Sequence, residues 1–198
     1  DISLPNYPPV SMLSFASSVW LYGFLKSAFI TLNVYPLFPS GLLPWINSDN
    51  VKVAFLKIPA LVPFVLTGWI VYFFGRLFKK TRKKSLIFTL LFLLNPGFIY
   101  LAVVWGQNDF AQVFFILGAF YLLLRENYYL SFIFAGLSIL SKQTVLMLWG
   151  FYLITLFKLK GINKSVVALF VSVALMWLFY LPFNNRGVFW PFALYNET

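Results

Sequence analysis

"RLFKKTRKK", residues 76–84, holds six cations and no acid and lies between two apolar runs, at about 51–75 and 85–104. A soluble domain spreads its charge over the surface. Here Lys and Arg gather in this stretch and in "KLKGINK", residues 158–164, with long apolar sequence on either side. The composition is 61% hydrophobic, 22% aromatic and 10% charged, whereas an ordinary soluble domain carries about a quarter of its residues as charged ones. The pattern is that of an all-α integral membrane protein built as a polytopic helix bundle. The net charge of +10 then reports topology and not a nucleic-acid partner, because no aromatic stacking platform accompanies the cations. With no Cys and no His, disulfides and thiolate metal sites are excluded and zinc catalysis loses its usual ligands. Chemistry has to come from carboxylates, Lys, Arg, Tyr, amides and backbone.

Excess Lys and Arg mark cytoplasmic loops, so residues 76–84 are expected inside and every later side follows. The run 85–104 leads outward and delivers WGQND, residues 105–109, to the external or lumenal face. Residues 110–124 return to RENYY inside, and 165–183 run from the second basic cluster to an outer segment, 184–198. A crossing takes roughly 20 apolar residues, so the stretch 129–157 is too short to leave and return as two full spans. It is expected to form two short helices turning near Ser141, Lys142 and Gln143. Upstream, Pro59 and Pro63 are expected to bend the 51–75 helix. The run 11–35, interrupted by Lys26 and dotted with Trp20 and Tyr22, suits a membrane interface as well as a span. The expectation is a single transmembrane domain over residues 1–198 with about six or seven membrane segments, some short or re-entrant.

In this topology three polar groups converge on the outer side: Gln107, Asn108 and Asp109; Lys142 and Gln143; and Asn184, Asn185 and Arg186. Ionisable groups in or at the edge of a membrane are costly and tend to mark a substrate path or an active site. Each also has a plain reading. Asn108 or Asp109 can cap the helix that starts near Phe110, for about 1 kcal/mol. Lys142 can snorkel to the headgroups, and Arg186 can anchor the interface beside Phe189 and Trp190. Asn196-Glu197-Thr198 is a glycosylation sequon on the expected outer side, whereas Asn163-Lys164-Ser165 falls in a cytoplasmic loop.

The succession NYPP (6–9), LKIPALVP (56–63), the basic loop, NPGFIYLAVVWGQND (95–109) and LSILSKQTVLML (137–148) resembles the multi-spanning glycosyltransferases of the C-type fold. It is most similar to mannosyltransferase-like members related to GPI mannosyltransferases. The resemblance implies transfer of a sugar, a hexose such as mannose, from a polyprenyl-phosphate donor to a glycan, lipid or protein acceptor. Transfer would take place on the extracytoplasmic or lumenal side of a prokaryotic plasma membrane or of the endoplasmic reticulum membrane, usually with inversion. Carried over by position, Asp109 and Asp1, the latter as the tail of the first outer loop, are the catalytic candidates. Asn6, Tyr7, Gln107, Asn108, Lys142, Gln143 and Arg186 are substrate-binding candidates. Family members carry a further helix and an acidic loop ahead of YPP, and often an Asp where this chain has Pro63. The resemblance therefore reads the chain as part of a larger core, with Asp109 either the base itself or a residue that orients the acceptor for a base upstream. A lipid-linked monophosphate has less charge to screen than a nucleotide sugar, so the chemistry admits a divalent metal without demanding one. The competing reading is a transporter or lipid flippase fragment with a midplane polar site, although the two halves show no self-similarity. A purely structural membrane subunit is the third.

Overall fold

The computed structural model describes residues 8–35 and 37–181, and within them every regular element is helical. The helices are α1 (Pro9–Leu32), α2 (Leu42–Ile46), α3 (Asp49–Leu77), α4 (Arg82–Leu93), α5 (Pro96–Ile99), α6 (Asp109–Leu124), α7 (Tyr128–Ser141), α8 (Leu146–Lys160) and α9 (Ile162–Tyr180). A π-helical turn, Tyr100–Trp105, extends α5, and a 3₁₀ turn, Gln143–Val145, precedes α8. Three of these helices, α1, α3 and α9, are long and apolar enough to cross a membrane. The pair α4 and α5 with its π turn passes the same test only if taken together, and it is bent by 52°. At 16, 14 and 15 residues, α6, α7 and α8 reach only about 21–24 Å at 1.5 Å per residue.

The 85–104 run is thus broken where one helix was expected. Asn95 is extended (φ −64, ψ 119), and its side-chain oxygen accepts from the N–H groups of Gly97 and Phe98 at 2.9 and 3.3 Å. Pro96 at the first helical position disfavours helical backbone in the residue before it, so the chain stops at Leu94 and restarts in a new direction. By contrast α3 continues as one helix through Pro59 and Pro63. The Thr67 hydroxyl donates back to the Pro63 carbonyl at 2.7 Å.

Contacts along the helices fix the relative directions. α3 and α4 form an antiparallel hairpin through the basic loop. Thr89 donates to the Gly68 carbonyl at 3.3 Å, and Ser85 fills the space a Cβ on Gly75 would need. α6 and α7 form a second antiparallel hairpin, with Ser131 Oγ donating to Ala119 O at 2.7 Å and Phe134 against Gly118. α6 runs parallel to α3, as the ring contacts Phe64–Phe110 and Phe74–Tyr121 show. α9 runs parallel to α7, with Gly136 against Ser172 and Lys164 over the Tyr128 ring. Small residues at these crossings let the backbones approach, the usual means of association where lipid removes the hydrophobic drive between helices. The core between α6, α7, α8 and α9 holds Ile116, Ala119, Leu123, Phe132, Ala135, Tyr152 and Ala168. The Tyr152 hydroxyl inside it is paired with Ser131 Oγ at 2.7 Å. Many large apolar side chains, among them Trp69, Leu91, Met147 and Phe170, face outward.

Both cationic loops fall at one end of the bundle. Phe73 and Phe74, just before residues 78–81, lie on Tyr121 near the end of α6. Lys160 reaches back across to Glu126 at 2.8 Å. Asp109 and Lys142 lie at the opposite end.

Candidate functional site

Lys142 stands at the break between α7 and α8, in extended conformation (φ −162, ψ 134). The two short helices with a turn at Ser141–Gln143 are those the sequence led us to expect. Asp109 opens α6. The antiparallel pairing of α6 and α7 brings these two residues together, and Lys142 Nζ donates to Asp109 Oδ1 in an ion pair. About a third of each side chain remains exposed, 36% for Lys142 and 31% for Asp109. Next to the pair is a pocket of about 180 Å³ lined by Ser11, Trp105, Gly106, Asn108 and Ser141, among others.

Gly106 shapes this wall. It is left-handed (φ 73), a conformation glycine adopts without strain, and it ends the π turn, with Gln107 N–H donating to Leu101 O at 3.0 Å. A Cβ there would also meet the stem of Lys57 on α3, at 3.4 Å from Cγ. Lys57 Nζ donates to Val104 O at 3.3 Å and so holds the turn from behind.

Asn108 does not cap α6, and neither does Asp109; the capping reading is corrected. The side chain of Asn108 makes no bond to the helix N–H groups. It turns to α1, where Nδ2 donates to Ser11 Oγ at 3.0 Å and to Ser14 Oγ at 3.4 Å. Ser11 donates its own proton to Ser141 O at 2.6 Å, and Ser14 donates to Ser11 O at 2.7 Å. With both hydroxyl protons committed, both oxygens must accept, and this fixes which end of the amide faces them. Asn108 is 8% exposed, and its Oδ1 is buried with no hydrogen-bond partner among the described residues. A buried acceptor left unpaired costs on the order of 1–3 kcal/mol, so a group on the pocket wall retains an unmet demand for a donor.

Of the residues expected from sequence, Gln107, Asn108, Asp109 and Lys142 line this one pocket. Gln143 begins the 3₁₀ turn and is not among the lining residues. Asp1, Asn6, Tyr7, Asn184, Asn185, Arg186 and the sequon at 196–198 lie outside the described residues. Pro8 and Pro9 of YPP are buried at the start of α1, with Pro9 at its first helical position. Ser11 and Ser14, and Ser141 as a wall of the pocket, were not anticipated. Their signal was present, since Ser11, Ser14 and Ser18 recur at helical spacing along one side of an apolar run. Among the described residues no three acidic, His or Cys side chains gather as a metal-ligand set. The arrangement offers one carboxylate and one ammonium, each about a third exposed, and small hydroxyls, in a recess between helix ends. No family model, curated protein or solved structure matches the chain, and a function has to be argued from the chemistry of this site.

Proposed function

We propose that the chain is part of a polytopic membrane glycosyltransferase that moves a sugar, a hexose such as mannose, from a polyprenyl-phosphate donor to an acceptor hydroxyl. The reaction takes place in the pocket beside Asp109 and Lys142. The basic end faces the cytoplasm and the pocket faces the extracytoplasmic or lumenal side, as the cation distribution favours. The short helices α6, α7 and α8 count as membrane segments in this reading. They are shorter than a hydrocarbon core of about 30 Å, which sets the pocket below the outer surface where a lipid-borne phosphate can reach it.

The observation that supports the reading is the Asp109–Lys142 pair at the edge of a polar recess. In the resting site each charge neutralises the other. A donor phosphate competes for Lys142 and releases the carboxylate toward the acceptor. Asp109 then takes the proton of the acceptor hydroxyl while the acceptor oxygen bonds to the anomeric carbon. The bond from that carbon to the phosphate oxygen breaks with its electron pair. The departing lipid phosphate gains charge beside Lys142, and the oxocarbenium-like sugar forms between the two groups.

One observation favours transport instead. The break at Lys142 is a helix interruption at a charged pair, an arrangement that midplane binding sites of transporters also use. Incubating the full-length protein in sealed vesicles with labelled polyprenyl-phosphate sugar separates the two. A new glycosidic product supports the enzyme, and movement of unchanged donor between leaflets without product supports the transporter.

A further inference from the structure

Helix α1 has the length and hydropathy of a span, yet its contacts are incompatible with crossing. It starts at the pocket, where Ser11 meets Ser141 and Asn108. If it descended beside α3 toward the basic end, Tyr22 would stand about 16 Å lower, well past Lys57, which is level with Val104 and Gly106. Tyr22 is found in the other direction. Its hydroxyl donates to Ile46 O at 3.1 Å, and its ring lies 5.5 Å from Phe55. Further on, Phe29 packs against Phe38 in the loop beyond α1, at 5.6 Å. Parity agrees. α3 starts at the pocket end, so an α1 that crossed would leave residues 33–48, whose described residues have only the five-residue α2 for regular structure, to return through the hydrocarbon. Irregular backbone exposed to lipid is not tolerated there.

We propose that α1 is an interfacial helix lying in the leaflet at the pocket end, with its serine side as a wall of the pocket and its apolar side on phospholipid. The start of α1 at Ser11 and its middle at Tyr22 are both held at the pocket end of the bundle, while Val19, Trp20, Phe24 and Ile30 are each more than half exposed. A face of this kind requires apolar surroundings on the side of the membrane where the helix is held. The lipid boundary of that leaflet supplies them. Trp20 and Tyr22 are the residue types that favour the headgroup level, and Lys26 can extend its amine to water while its stem stays in apolar contact. The proposal rests on the reading of the bundle as membrane-spanning, but not on which end faces the cytoplasm.

The chain has no Cys, so single cysteines report cleanly. Asn33→Cys, Ser48→Cys and Lys83→Cys are tested with an impermeant maleimide in right-side-out and inverted vesicles. The expected result is that positions 33 and 48 react from one side and position 83 from the other. Reaction of position 33 from the side that reaches 83 overturns the proposal. If 33 and 48 react from the cytoplasmic side and 83 from outside, the orientation given under Proposed function fails and the interfacial helix stands. Spin labels at Val19→Cys and Ile30→Cys add depth. Similar depths near the headgroups are expected, within about 5–10 Å of the acyl boundary. Depths differing by about 16 Å, the rise between the two positions along a perpendicular helix, or a label at 30 in bulk water, overturn it.

Discussion

Asp109 begins α6 and points sideways at Lys142, while Asn108 beside it spends its amide on two serines of another helix. Both residues are good N-cap types, and local sequence alone favours a cap. The tertiary partners hold the side chain away from the helix because Ser11 Oγ and Ser14 Oγ, with their protons committed, offer the amide N–H groups two acceptors at once. Replacing Asn108 by Leu should therefore cost more than losing a cap, about 1–3 kcal/mol from the serine oxygens left without donors. Thermal unfolding of the purified protein in detergent checks this. At Lys142, substitution by Gln keeps the side chain polar but removes the charge proposed to hold the donor phosphate. The KM for the lipid-phosphate donor should rise about 10- to 100-fold, the equivalent of one hydrogen bond to a charged group. An unchanged KM would leave Lys142 as a partner of Asp109 only. Exchanging the two residues, Asp109→Lys with Lys142→Asp, keeps an ion pair and should still abolish transfer, since base and phosphate partner are then misplaced.

At the scale of elements, the hairpin of α6 and α7 and the break at Lys142 were legible because two rules converged on them. The basic clusters are expected on one side, and the length of 129–157 leaves no room for two full crossings. The break at Asn95 was missed although Asn-Pro-Gly was in plain view, since its flanking apolar residues made one run of the right length. α1 stayed open between interface and span for a physical reason: hydropathy measures preference for apolar surroundings and carries no direction. Packing of the hairpins rests on small residues, and this is testable. Gly136→Val should destabilise by about 1–3 kcal/mol, because a side chain there meets the backbone of Ser172 at 3.2 Å. Gly150→Ala, which meets nothing within 4 Å, should be neutral or slightly stabilising on helix propensity. Comparing the two midpoints of unfolding checks the pair. At the basic end, the hydrogen bond from Lys160, with its charge, holds the Glu126 carboxyl below its ordinary value. A depressed carboxylate stabilises the fold above its unfolded pKa and loses that contribution as pH falls through the folded one. Lys160→Met should then be less stable than wild type at neutral pH, and the difference should shrink as the pH falls through the lowered Glu126 pKa.

For the molecule as a whole, composition pointed to an all-helical chain, which the structure bears out, and to a membrane protein, in keeping with three helices long and apolar enough to cross one. Parity brought Asp109 and Lys142 to one end, and the ion pair between them makes that convergence a contact. What the sequence could not deliver was the serine wall from α1, because a contact between residues 11, 108 and 141 depends on the path of a helix that local pattern leaves undetermined. The orientation has its own check. In intact cells Lys83→Cys should resist an impermeant thiol reagent, and labelling from outside would reverse the assignment of sides. The central claim is that Asp109 is a base at a sugar-transfer site, and it is tested most directly by Asp109→Asn in the full-length protein at matched expression. This substitution preserves shape and can still accept a hydrogen bond from Lys142, so its cost to stability should stay on the order of 1 kcal/mol or less. With labelled polyprenyl-phosphate sugar as donor, a loss of transfer on the order of 10²-fold or more is predicted. Transfer at the wild-type rate by Asp109→Asn would contradict the account.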